Sequence, residues 1–113
     1  MVFRVVGNNV VGMGHIYRSL SLAHGMANQE ILFVCDVDSG PVVKRLVGSA
    51  YWLGIYDKEN IADEIISLNP DLVVNDVLNT GKIYVEYLKK EEIVVVNFED
   101  LGSGASVADL TVN

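Results

Sequence analysis

Short apolar runs with little polar alternation punctuate this chain: "VFRVV" (2–6), "EILFVC" (30–35), "DLVVN" (71–75) and "IVVVNF" (93–98). A strand with one solvated face alternates apolar with polar residues; a strand that is apolar almost throughout is buried on both faces, as in a parallel sheet covered by helices. Segments with helical spacing lie between the runs. Ile16, Leu20, Ala23 and Ala27 predict a helix over residues 14–28, its end marked by Asn28 and Gln29. Pro41 suits the first turn of a short helix reaching Val47. Asn60 is placed to cap a helix lined by Ile61, Ile65 and Leu68, which Asn69 and Pro70 stop. Residues 80–91 read as a helix carrying Ile83, Tyr87 and Leu88. "AYWLGIY" (50–56) is a further strand despite Gly54, and "ADLTVN" (108–113) adds a last one. Strand and helix repeating in this order predict an α/β fold: a doubly wound, mostly parallel, Rossmann-like sheet formed by residues 1–113 as a single domain.

Composition narrows the function. Half of the 113 residues are apolar and a fifth are charged, an ordinary globular balance. The net charge of −7 argues against nucleic acid or an anionic membrane as partner, since both need basic patches. No apolar stretch is long enough to span a bilayer, and "MVFRVV" does not open a secretion signal, so the expected location is cytoplasmic. The lone thiol, Cys35, reads as a small buried hydrophobe. The last run ends with the chain, as at a cut domain boundary, and the expectation is a longer two-domain protein.

The segment "GNNVVGMGH" (7–15) leaves the first strand and enters the first helix, where open parallel sheets bind ligands. Gly12 and Gly14 remove Cβ atoms and allow a backbone to approach a ligand closely. The helix start offers unpaired N–H groups and partial positive charge to an anion. The spacing of Gly7 and Gly12 is that of a phosphate-binding loop, but Met13 and Gly14 occupy the Lys and Ser/Thr places. The dinucleotide fingerprint fails at Tyr17, where its third glycine belongs. No nicotinamide or other cofactor is implied.

What is left is a glycine pair followed by His15. The helix dipole disfavours a second positive charge there, and a neutral imidazole can take a proton from water or a hydroxyl. The bland alternative, a hydrogen bond to a neighbouring loop, stays open. Arg18 shares the helix face at i+3 and either meets an anion or pairs with a carboxylate. His24, in the last turn, complements the dipole and needs no further role. Two histidines nine residues apart cannot share an ion, so no metal is predicted. Asn8 and Asn9 in the turn, Asn75, Asp76, Asn79 and Thr80 after the fourth run, and Glu99, Asp100, Ser103 and Gly104 after the fifth converge on the same sheet edge. Asp76 or Asn79 alternatively caps the next helix.

These residues carry a resemblance. "FRVVGNNVVGMGHIYRSLSLA" resembles the opening of the nucleotide-sugar hydrolases of pseudaminic acid biosynthesis and the related spore-coat polysaccharide biosynthesis proteins, through Phe3, Arg4, Gly12, Gly14, His15, Arg18, Leu22 and Ala23. "PDLVVNDV", "VVNFEDLG" and "ADLTVN" are similar to later segments of that family. The resemblance implies the N-terminal half of a GT-B architecture, with the active site in a cleft against a missing C-terminal domain that holds most of the nucleotide. It implies release of UDP from a UDP-activated amino-deoxy sugar, with His15 as catalytic base and Asn8, Asn9, Gly12, Gly14, Arg18, Asp76 and Asp100 contacting substrate. Val6 stands where many members carry Asp, and Glu99 precedes Asp100 where the hydrolases have Asp-Asp. Hydrolase and glycosyltransferase therefore both remain expectations. A non-catalytic nucleotide- or anion-binding module is the alternative from another class. A receiver domain would need acids where Gly7, Asn8 and Asn9 lie.

Overall fold

The β-branched runs become strands and the periodic segments become helices, in strict alternation. A computed structural model describes residues 1–7, 14–26, 28–77, 80–98 and 103–112. In chain order they form β1 (Val2–Val5), α1 (Gly14–His24), β2 (Leu32–Asp36), α2 (Gly40–Val47), β3 (Trp52–Tyr56), α3 (Ile61–Ser67) after a 3-10 turn at Lys58–Asn60, β4 (Leu72–Asp76), α4 (Lys82–Lys89), β5 (Val94–Phe98), a 3-10 turn at Ser103–Ser106, and β6 (Leu110–Val112). The six strands lie in the order β3-β2-β1-β4-β5-β6, and every pairing is parallel. This is the doubly wound α/β arrangement that the apolar runs predict.

Alternation along the strands divides the core in two. Phe3, Val5, Phe33, Cys35 and Val74 pack with Ile16 and Ala23 of α1 and with Val43 and Val47 of α2. Val2, Val34, Val73 and Val95 pack on the other face with Ile61 and Ile65 of α3 and with Val85 and Leu88 of α4. Phe3 and Phe33 stack with centroids 5.4 Å apart. Side chains buried this completely contribute about 1.5–3 kcal/mol each relative to exposure.

Several local expectations are corrected. α1 ends at His24, not at residue 28, because Gly25 follows and the chain turns, Met26 N–H donating to the Ala23 carbonyl at 3.0 Å. Asn60 precedes α3 but makes no side-chain cap bond. The apolar face of α4 is Val85 and Leu88, whereas Ile83 is 84% exposed. Gly54 sits within β3 because a Cβ there would come within 3 Å of both Tyr56 and Trp52 side-chain atoms. Among the described residues no helix is long and apolar enough to cross a membrane.

Sheet order places the site. Strand order reverses between β1, which has β2 on one side, and β4 on the other. The carboxyl ends of these two strands, with the start of α1, frame the crevice where doubly wound sheets bind ligands.

Candidate functional site at the switch point

Asp76 closes β4 on the face covered by α1, at the β1–β4 boundary, paired in register with Val5. Its side chain is 0% exposed, so both carboxylate oxygens must find donors within the protein. α1 supplies them. Arg18 donates from Nε to Oδ2 at 2.9 Å and from its terminal nitrogen to Oδ1, a bidentate fork. Ser19 Oγ donates to Oδ2 at 3.0 Å. His15 Nδ1 lies 2.7 Å from Oδ1.

The last contact fixes the histidine tautomer. An arginine nitrogen also lies 3.3 Å from Nδ1, yet Nδ1 cannot both receive from arginine and bond an oxygen that only accepts. The shorter contact to the carboxylate decides it: Nδ1–H donates to Asp76, and the arginine approach is proximity. The neutral ring then carries its lone pair on Nε2, which has no partner among the described residues. The His15 side chain is 14% exposed, and Arg18, 31% exposed, covers the cluster while facing the Phe98 ring 5.5 Å away. A buried carboxylate that orients an imidazole and stabilises the imidazolium once a proton arrives is the arrangement of general-base catalysis.

Gly14 is the first residue of α1, directly before His15, and a Cβ built on it would meet nothing within 4 Å. Among the described residues, nothing in the packing demands glycine there. At the neighbouring strand end, Gly7 N–H donates to Ser39 Oγ at 3.1 Å, and Ser39 N–H donates to Asp36 Oδ1 at 2.8 Å. These bonds pin the exit of β1 to the start of α2.

Of the residues singled out in the sequence, His15, Gly14, Arg18 and Asp76 come together. Asp76 caps no helix, since Gly81 is the residue before α4. Asn8, Asn9, Gly12, Asn79, Glu99 and Asp100 lie outside the described residues. Asn75 and Thr80 turn away to the α4 face: Tyr84 donates to Asn75 Oδ1 at 2.6 Å, Asn75 donates to Asn97 Oδ1 at 2.9 Å, and Asn97 donates to Thr80 Oγ1 at 3.2 Å. His24 accompanies Tyr51, whose hydroxyl is 3.0 Å from Nδ1. Sequence reasoning missed Ser19. The signal was present, because Ile16, Ser19 and Ala23 share the buried helix stripe and a hydroxyl there must have a partner.

Fold and site together define a doubly wound parallel α/β domain with a histidine–aspartate pair, braced by arginine, at its switch point. Over an alignment of 112 residues that covers 95% of the chain, it is 28% identical to the uncharacterized protein MJ1062 of Methanocaldococcus jannaschii, and it spans 23% of that protein's length. No protein-family model and no solved structure matches the chain.

Proposed function

We propose that this chain is the N-terminal, sugar-side domain of a cytoplasmic nucleotide-sugar-processing enzyme of GT-B type, releasing UDP from a UDP-activated amino-deoxy sugar in surface or spore-coat polysaccharide biosynthesis. The observation that carries the reading is the 2.7 Å contact from His15 Nδ1 to a fully buried Asp76, which leaves Nε2 as the proton acceptor. In the proposed reaction Nε2 takes a proton from water as the oxygen bonds to the anomeric carbon. The bond from that carbon to the diphosphate breaks, and UDP leaves with the electron pair. Asp76 stabilises the imidazolium, and Arg18 compensates the buried carboxylate. The resemblance carried by Gly12, Gly14, His15 and Arg18 supplies the substrate class, and the remaining half of the cleft belongs to a C-terminal domain.

The same base serves an acceptor hydroxyl equally well, which makes a GT-B glycosyltransferase the second reading. The test is UDP release from UDP-activated amino-deoxy sugars, with and without sugar acceptors, by the full-length enzyme and by its His15→Ala variant, since the isolated domain, lacking half of the cleft, is expected to be inactive. Loss of the base is expected to lower turnover by a factor of about 10²–10⁴ while UDP affinity stays within a few-fold. Undiminished turnover removes His15 from the mechanism. UDP binding by the full-length protein without any turnover makes the domain a binding module.

A further inference from the structure

Two arginines flank the switch point, and the structure uses them differently. Arg18 is committed to Asp76 through both ends of its fork. Arg4 leaves β1 one residue before the strand ends, on the face packed by α3 and α4, in register with Asn75. Its guanidinium lies 4.6 Å from the centroid of the Tyr84 ring. No carboxylate among the described residues pairs with it.

The surroundings of Arg4 sharpen this imbalance. Tyr84 is the third residue of α4, so the guanidinium sits beside the positive end of that helix. Gly81, just before α4, supplies no side-chain cap, and the space around it is open. The Tyr84 hydroxyl, Asn75, Asn97 and Thr80 form a directed chain of hydrogen bonds that fixes the ring as a platform. Burial pushes the Tyr84 phenol above its ordinary value, with the charge and a hydrogen bond of Arg4 opposing, so the ring is neutral and provides no counter-charge. A half-buried cation at a helix start, with no acid beside it among the described residues, is an unfavourable arrangement that an oxyanion would relieve.

We propose that Arg4, set against the Tyr84 ring, is the anion anchor of the switch-point crevice and grips a phosphate or carboxylate group of the ligand. The inference rests on the reading of this crevice as the ligand site and assigns it a second wall. His15 works from the α1 side of the sheet, and Arg4 holds the charged end from the α4 side. Arg4 is a binding residue here, and Arg18, already neutralised by Asp76, is not the anion contact.

The test is a titration of the wild-type protein with inorganic pyrophosphate and, separately, succinate, followed through the Arg4 Nε–H resonance and the backbone amides of residues 82–84. The active source of the anion, phosphate or carboxylate, shifts these signals, and Arg4→Met weakens that binding about tenfold or more. Arg4→Lys, which keeps the charge and loses the fork, falls between the two. An Arg4 Nε–H unmoved by both anions at millimolar concentration overturns the proposal, as does wild-type affinity in a folded Arg4→Met protein. If Arg4→Met does not fold, the wild-type resonance alone decides. Turnover assays separate this from the enzymatic reading. Arg4-dependent anion binding without turnover by the full-length protein sinks the enzyme and leaves the anchor standing. Turnover with KM unchanged in Arg4→Lys and Arg4→Met sinks the anchor and leaves the enzyme.

Discussion

Replacing Asp76 by Asn keeps the shape of the side chain and removes the charge that organises the site. In the wild type the carboxylate takes bonds from Arg18 at both oxygens, from Ser19 and from His15, at zero exposure. The amide has one acceptor oxygen and turns an NH₂ toward donors. Removing one partner of a buried ion pair costs about 3–5 kcal/mol. Arg18 is 31% exposed and is partly rescued by water, so the lower end, about 3 kcal/mol, is expected. For 113 residues the unfolding entropy near the midpoint is about 0.24 kcal/mol/K, so Tm should fall by about 12 °C. The change also removes the acceptor that holds the Nδ1–H tautomer, and kcat is expected to drop by about 10⁴ if the proposed reaction is correct. Calorimetry reads the first effect, and the ¹⁵N shifts of the His15 ring read the tautomer independently of any substrate. A Tm within 2 °C of the wild type, or a wild-type ring protonated on Nε2, would refute the reasoning.

Two further outcomes concern groups away from the site. Burial, reinforced by Asp36, pushes the Cys35 thiol up to about 12, so the native protein should resist alkylation at pH 8 and react only on unfolding; rapid native labelling would contradict the burial. Donation from Val95 N–H at 2.8 Å holds the Asp109 carboxyl below its ordinary range, with Lys89 assisting. Its contribution is complete above the unfolded value, about 4, and fades as pH falls through the lower folded value. Asp109→Asn should therefore flatten the decline of Tm below about pH 4, and an unaltered slope would remove Asp109 from the acid response.

The sheet was readable because its signal is local and repeated. Val2, Phe33, Val73 and Val95 lie in runs too apolar to have a wet face, and a run buried on both faces implies parallel pairing. Helix ends were harder, because they depend on turn geometry. Gly25 stops α1, while Asn28 and Gln29 were the more conspicuous breakers in the sequence. The α4 face was misassigned because Ile83 and Val85 are equally apolar, and only the packing against β4 and β5 separates them. His15 and Arg18 stood out by sitting in a glycine turn at helical spacing. Their bond to Asp76, across 61 and 58 positions, follows from strand order, which no local pattern encodes. That Arg4 meets Tyr84, and no acid among the described residues, was hidden for the same reason, since strand order decides what surrounds it.

The pairing of Val2 with Val73 has a consequence for assembly. One seam joins β1–β3 to β4–β6, and bringing its two edges together closes a loop of roughly seventy residues, an entropic cost that strand pairs nearer in sequence do not bear. The histidine belongs to one portion and its aspartate to the other. A chain nicked between β3 and β4 would thus separate His15 from Asp76, and recombining the fragments would restore their contact.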